Sequence, residues 1–421
     1  MSKRNLIITL IGLGIVGGLT IWYFSTNKTT TETTGTTSTS SPFGSSSGNK
    51  FVNINETPKV TTETGIAGET STKKIPVLVK VYESPVSNSV LFSNKTNEII
   101  LRFIDRAVGN VYEYIPASNT KPIRLTKTTI AKVIDTVWSS KGDQAILRYL
   151  DNDTDKITSF SGKISPQGTS SEPTELTGSF LTSDISDSLI NPAGSRIFSL
   201  QRKSSGGGSF GYTSIFDGTN KRQIFDSPIT YWNISWPKEN IITFTTKASS
   251  DYGGFLFFFN TQTESMETVL SNIVGLSTLT NNTADLIAYS QKQDDTFSLL
   301  IYDNKKKTVK NISLPTLAEK CVWGTNNSKI LYCAIPTSVV SDTYPDAWYQ
   351  GKVSFTDDIW KIDAEKEQVS LIYQIGSGGT NIDATELKIS PDDKYISFMN
   401  KKDLSMWLLN VSEITNNQIF Y

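Results

Sequence analysis

From residue 73 onward the apolar positions come in short runs of β-branched and aromatic side chains, broken every few residues by Gly, Pro, Asn, Asp or Ser. That spacing predicts many short strands, and no helical period of about 3.6 runs through it. One unit recurs: a strand, a tight polar turn, a second apolar strand, a hairpin, a third strand and usually a fourth. In the clearest copy, residues 387–399 read Leu-Lys-Ile-Ser-Pro-Asp-Asp-Lys-Tyr-Ile-Ser-Phe-Met, followed at 405–411 by Ser-Met-Trp-Leu-Leu-Asn-Val. Ser390, Pro391, Asp392 and Asp393 stand where a type I turn uses such residues. Looser copies begin at Leu91, Val137, Ile190, Ile234, Thr280 and Val322.

Aligning the second strands on Ile100, Ile146, Ile197, Ile241, Leu286, Ile330 and Ile396 gives intervals of roughly 46, 51, 44, 45, 44 and 66 residues, against about 40–45 for a four-stranded propeller blade. Seven units fit best, with six or eight as the neighbouring counts. The long last interval holds about 20 extra residues between Ile335 and Asp358, inside one hairpin. Tandem β-sandwiches, the alternative, would repeat at about twice this spacing. The expected fold is therefore all-β, a seven-bladed β-propeller over 73–421. Its expected closing strand is 75–82, Ile-Pro-Val-Leu-Val-Lys-Val-Tyr, paired with the last blade so that no sheet edge stays open. A strand at 417–421 would change the closure and leave the blade count.

The first 72 residues differ in kind. Residues 1–5, with Lys3 and Arg4, precede an apolar run over 6–24 that is long enough as a helix to cross about 30 Å of hydrocarbon. Trp22 and Tyr23 fall where an aromatic interface belt is expected, and the positive charges stay on the cytoplasmic side. A cleaved signal peptide would show a shorter apolar core and small residues where Trp22, Tyr23 and Phe24 stand. The expectation is a single-pass anchor with a cytoplasmic N-terminus and an extracytoplasmic propeller. Residues 25–72, rich in Thr, Ser and Gly, have too few large apolar side chains to fold and read as a flexible linker.

The turn at 390–393 resembles the (Trp/Phe)-Ser-Pro-Asp-Gly turn of the WD40-like repeats in TolB-type propellers. The match is strict only there. Gly194 is the nearest counterpart of the motif's glycine, with Lys238 and Asn327 at that place in less faithful copies. The resemblance implies a fold rather than an activity, since propellers host unrelated functions. It also implies that the loops joining second and third strands emerge together on one face, where a binding rim would be built.

Composition narrows the chemistry. Lys and Arg total 40 against 41 Asp and Glu, a net charge of −1, so no basic field draws nucleic acid. The chain has no histidine, which removes Ser-His-Asp and Cys-His nucleophile systems and every imidazole metal ligand. Its two cysteines, Cys321 and Cys333, flank the turn at 325–328. If their strands pair symmetrically the thiols face each other and can oxidise outside the cytoplasm; a one-residue slip leaves two reduced core thiols.

Three other features are candidate sites. The extra hairpin segment carries Tyr344, Asp346, Trp348, Tyr349 and Phe355, aromatics that either make binding hot spots or pack as a lid. Asp151, Asp153 and Asp155 have the alternate-acid spacing of a calcium loop, yet Lys156 replaces its glycine and Gly162 its final Glu, so a solvated hairpin tip competes with calcium as the sole cofactor in view. The variable second-to-third-strand loops together form the expected rim. The functional expectation is a membrane-tethered extracytoplasmic module binding a protein, peptide or envelope polymer. The alternatives are a histidine-free propeller hydrolase of glycan or lactone type, using paired carboxylates, and a purely structural scaffold.

Overall fold

The computed structural model describes residues 76–414 except 119, 166–171, 205–206, 294–295 and 340–342. The segments 1–5, 6–24 and 25–72, and the strand considered at 417–421, lie outside the described residues. Among those described, no helix is long and apolar enough to cross a membrane.

Seven antiparallel sheets of four strands each form the seven blades of a propeller. The second strands start where the repeat places them, at Ile99, Gln144, Arg196, Ile241, Leu286, Ile330 and Tyr395. Each carries apolar side chains on both faces because both faces of its sheet are covered by neighbouring blades. In Ile330–Pro336 every residue is buried. Leu331, Cys333 and Ile335 pack with Leu299 and Ile301 of the preceding blade, whereas Ile330, Tyr332 and Ala334 pack with Ile396 and Phe398 of the next. The alternation of side chains along a strand thus divides one strand between two inter-blade cores.

Closure occurs as expected. Leu78–Tyr82 supplies the fourth strand of blade 7, pairing antiparallel with Met406–Asn410 through Leu78 opposite Leu409 and Tyr82 opposite Met406. In an up-and-down sheet the first-to-second and third-to-fourth turns share one face of the ring. The second-to-third hairpins and the blade-to-blade connections share the other, here called the rim face. The closing strand therefore enters on the turn face and leaves on the rim face.

The degraded turn motif works through its first residue. Ser390 Oγ accepts from the Tyr395 amide at 2.9 Å, Asn191 Oδ1 from those of Ser195 and Arg196 at 2.8 Å, and Asn281 Oδ1 from those of Asp285 and Leu286 at 3.1 Å. Ser and Asn are interchangeable because the turn needs only a short side-chain oxygen. The fourth residue is left-handed at Asn97, Gly142, Gly194, Ala284 and Asp393, which is why the motif favours glycine there. Asp393 departs from glycine to another end. Its carboxylate accepts the amides of Thr325, Asn326 and Asn327 at 2.7, 3.2 and 3.1 Å, joining blade 7 to blade 6.

Cys321 and Cys333 face each other across the first two strands of blade 6 and are disulfide-bonded, with Cα atoms 4.0 Å apart.

Candidate functional site on the rim face

The first strand of each blade lines the central channel, and in blades 1, 2, 3 and 7 it carries a bulge near its rim-face end. The register slips between Val86 and Ser89, Val133 and Asp135, Ile185 and Asp187, and Thr385 and Lys388. A bulge re-aims side chains. Three blades present the same device there, an Asx side chain accepting the next residue's amide at 2.8 Å: Asn88 with Ser89, Asp135 with Thr136, Asp187 with Ser188. Glu386, at φ 53°, is the blade 7 member and is held by Lys388 at 3.1 Å and Asn88 at 3.3 Å. Arg148 reaches Asp135 at 3.5 Å.

The channel shapes the electrostatics. Glu386 is half open to solvent inside a shaft whose protein walls displace most bulk water, and Lys388 beside it holds its carboxyl below the usual range. Burial first, then the Glu386 charge, pushes Asp135 up. Asp187 is raised to about 7, by burial and by Asp135 and Glu386, with Arg148 opposing. At the channel mouth Glu319 is also raised to about 7, chiefly by burial, although it accepts the Tyr349 hydroxyl.

These shifts set a direction for stability. Between about pH 4 and pH 7 the folded chain binds protons at Asp187 and Glu319 that the unfolded chain has lost, so stability from this pair falls as pH rises through that window. Melting followed from about pH 5 to pH 8 should therefore show a declining midpoint, and Asp187→Asn with Glu319→Gln should flatten much of the decline. Asp357, raised to about 6 mainly by burial, supplies a remainder. A midpoint that rises over the interval, with the same slope in the double variant, would contradict the assignment.

The insertion at 337–356, between the second and third strands of blade 6, stands over this mouth. Its aromatics divide sharply. Tyr344, Trp348 and Phe355 are 2%, 5% and 6% exposed, so they are packing residues and lack the exposure that a hot spot requires. Tyr344 lies 4.7 Å from Phe297 and 5.4 Å from Phe355, ring centre to ring centre. Beneath them sits a charged cluster with no solvent contact: Lys320 Nζ lies 2.8 Å from Asp357 and 2.6 Å from Asp383. Asp383 also accepts from Trp348 Nε1 at 2.9 Å and from the Phe355 amide at 3.0 Å. Asp346 braces the insertion against blade 4, accepting the Ser250 amide at 2.6 Å. Tyr349, from the short helix Asp346–Tyr349, is 40% exposed, alone among the four aromatics of the insertion.

Asp151 forms a turn at the hairpin tip, accepting the amides of Asp153 and Thr154 at 3.0 and 2.9 Å. Asp153 and Asp155 are exposed, and among the described residues no group of three or more acids or cysteines is arranged to hold a metal ion. The channel carboxylates were not singled out from sequence. The signal available was the Asx-Ser or Asx-Thr pair repeated near the start of the first strand in blades 1 to 3.

No family model and no curated protein matches the chain. Solved structures do. An oligogalacturonate lyase in complex with manganese is 9% identical, with a TM-score of 0.51 over 78% of this chain and 97% of that one. An oligogalacturonate lyase from Vibrio parahaemolyticus is 7% identical, with a TM-score of 0.52 over 79% and 91%. A prolyl endopeptidase is 10% identical, at 0.52 over 80% of this chain and only 50% of that one, so the chain spans half of it. At such identities the likeness speaks to fold alone, and by fold this chain is a seven-bladed β-propeller similar to those of the two lyases.

Proposed function

We propose that this chain is a membrane-tethered extracytoplasmic module that binds a protein, peptide or envelope polymer with its rim face. The observation that carries this reading is where exposed aromatics gather. Among the described residues four are well exposed, and three of them, Tyr231 at 52%, Tyr252 at 78% and Tyr349 at 40%, stand on rim-face connections; Phe180 lies on the outer strand of blade 2. Large, half-open aromatics on braced loops are what an interface anchor needs. Tethering is supported by the apolar run over 6–24 and its flanking charges.

A hydrolase reading has one observation behind it: Asp187 is raised and Glu386 lowered within one channel, the separation an acid and a base require. Against it, Asp135, Glu319 and Glu386 are each already engaged by a cation or hydroxyl. The manganese named for one neighbouring lyase finds no converging group of three or more acids among the described residues to hold it.

The test places a photo-crosslinking residue at Tyr252, at Tyr349 and, as control, at Val309 on an outer strand, in intact cells. Adducts from the first two and none from Val309 are expected. Equal adducts from all three, or none, would overturn the reading. Turnover of a glycan or lactone that disappears in Asp187→Asn would move the function into the channel.

A further inference from the structure

Two clefts on opposite faces each gather four cations, and they differ in how those cations are neutralised. On the turn face, a cleft of about 270 Å³ between blades 5 and 6 is lined by Lys305, Lys306, Lys310 and Lys329. Each has a carboxylate nearby: Asp285 at 2.8 Å, Asp303 at 3.7 Å, Glu367 at 3.4 Å and Glu365 at 2.7 Å. That cleft is internally balanced.

On the rim face, a cleft of about 440 Å³ between blades 2 and 3 is lined by Arg148, Lys156, Arg202 and Lys203. Lys203 pairs with Asp226 at 2.6 Å, and Arg148 turns toward the channel and Asp135. Lys156 and Arg202 have no carboxylate within 4 Å among the described residues. Arg148 Nε is buried there without an acceptor. Arg202 instead lies 4.8 Å over the ring of Tyr231, with Lys247 5.3 Å from the same ring, which holds two cations beside the cleft without discharging them. Asp184 is the one carboxylate in the lining and pairs with none of these cations, so the cleft's own walls set four cations against a single acid.

The walls say what kind of anion. Tyr231 stands beside the cleft, and the lining itself contains no aromatic ring on which a sugar could stack. It does offer Ile157, 40% exposed along the cleft. Carboxylates together with an aliphatic side chain are what a peptide supplies and an acidic glycan lacks. We infer that this cleft binds an acidic peptide segment of a partner protein, its carboxylates on Arg202 and Lys156 and an aliphatic side chain on Ile157. The inference rests on the rim face being the binding surface and narrows it to one partner chemistry.

The probe is a fluorescently labelled peptide of alternating Glu and Leu, titrated by anisotropy against the full chain in detergent. Binding that weakens with added salt is expected. Arg202→Gln with Lys156→Gln should weaken it by about tenfold or more, and Ile157→Ser by a few-fold. Lys305→Gln with Lys329→Gln, in the balanced cleft, should leave it unchanged. Absence of binding, equal loss in both double variants, or displacement of the peptide by an oligouronate of equal charge at lower concentration would each overturn the inference. If crosslinks from Tyr252 and Tyr349 persist while the peptide result fails, only the partner chemistry is lost. If both fail, so does the rim-face reading.

Discussion

Lys320→Met should destabilise the propeller by about 3–5 kcal/mol, because breaking a buried ion pair leaves uncompensated charge. Lys320 is fully buried between Asp357 and Asp383, and each carboxylate also takes a backbone amide, Ala384 for Asp357 and Phe355 for Asp383. Removing the ammonium leaves two carboxylates facing each other without solvent. They would relieve the repulsion by taking up a proton, so the deficit relative to the parent chain should shrink as pH falls toward about 5. Chemical unfolding at two pH values reads both quantities. A deficit below about 1 kcal/mol, or one indifferent to pH, would mean that water reaches this cluster and that the charges are not buried as described.

The second large effect concerns the insertion. Trp348→Ala should cost about 3–5 kcal/mol, combining an aromatic-sized cavity with loss of a hydrogen bond to a buried carboxylate. Trp348 lies between Lys320 at 5.2 Å and Lys401 at 4.9 Å, both over its ring, so truncation also removes the face on which two cations rest. Trp348→Phe keeps most of the volume and loses the indole donor, and should cost about 1–2 kcal/mol. Thermal unfolding of the two variants separates the contributions. The residue beside it behaves oppositely: Tyr349→Ala should change stability little and partner capture strongly. If Trp348→Ala melted like the parent chain while partner capture fell, the insertion would be a contact surface rather than a brace.

The blade count was legible because each second strand is apolar on both faces and follows a polar turn, so its signal survives even where Pro and Gly of the motif are lost. Blade 5 shows how: Asn281 replaces Ser and Ala284 replaces Gly, yet the turn closes on the Asn281 side-chain oxygen. The role of Trp348 and Tyr344 was not legible. A buried brace and an exposed anchor use the same aromatic residues, and what decides between them is Lys320 and Asp383, which come from outside the insertion. The channel acids were hidden for a different reason. Whether Asp135 or Ile134 points inward depends on a one-residue bulge, and a strand's alternation alone assigns either. The acid spacing at Asp151, Asp153 and Asp155 left a hairpin tip and a calcium loop both open, because an Asx turn and the start of a calcium loop share their opening residue.

The closing strand Leu78–Tyr82 has a mechanical consequence. It enters blade 7 on the turn face, opposite the rim. In the tethered arrangement proposed above, a pull from a partner on the rim and the resistance of the anchor would meet across the whole thickness of the ring. The ladder from Leu78–Leu409 to Tyr82–Met406 is then the first element in series with that tension. Its few hydrogen bonds, backed by Val79, Val81 and Tyr82 packing against Leu101, Phe103 and Leu408, would set the force at which the ring springs open. Under such a load that strand pair would be the seam through which the whole pull passes.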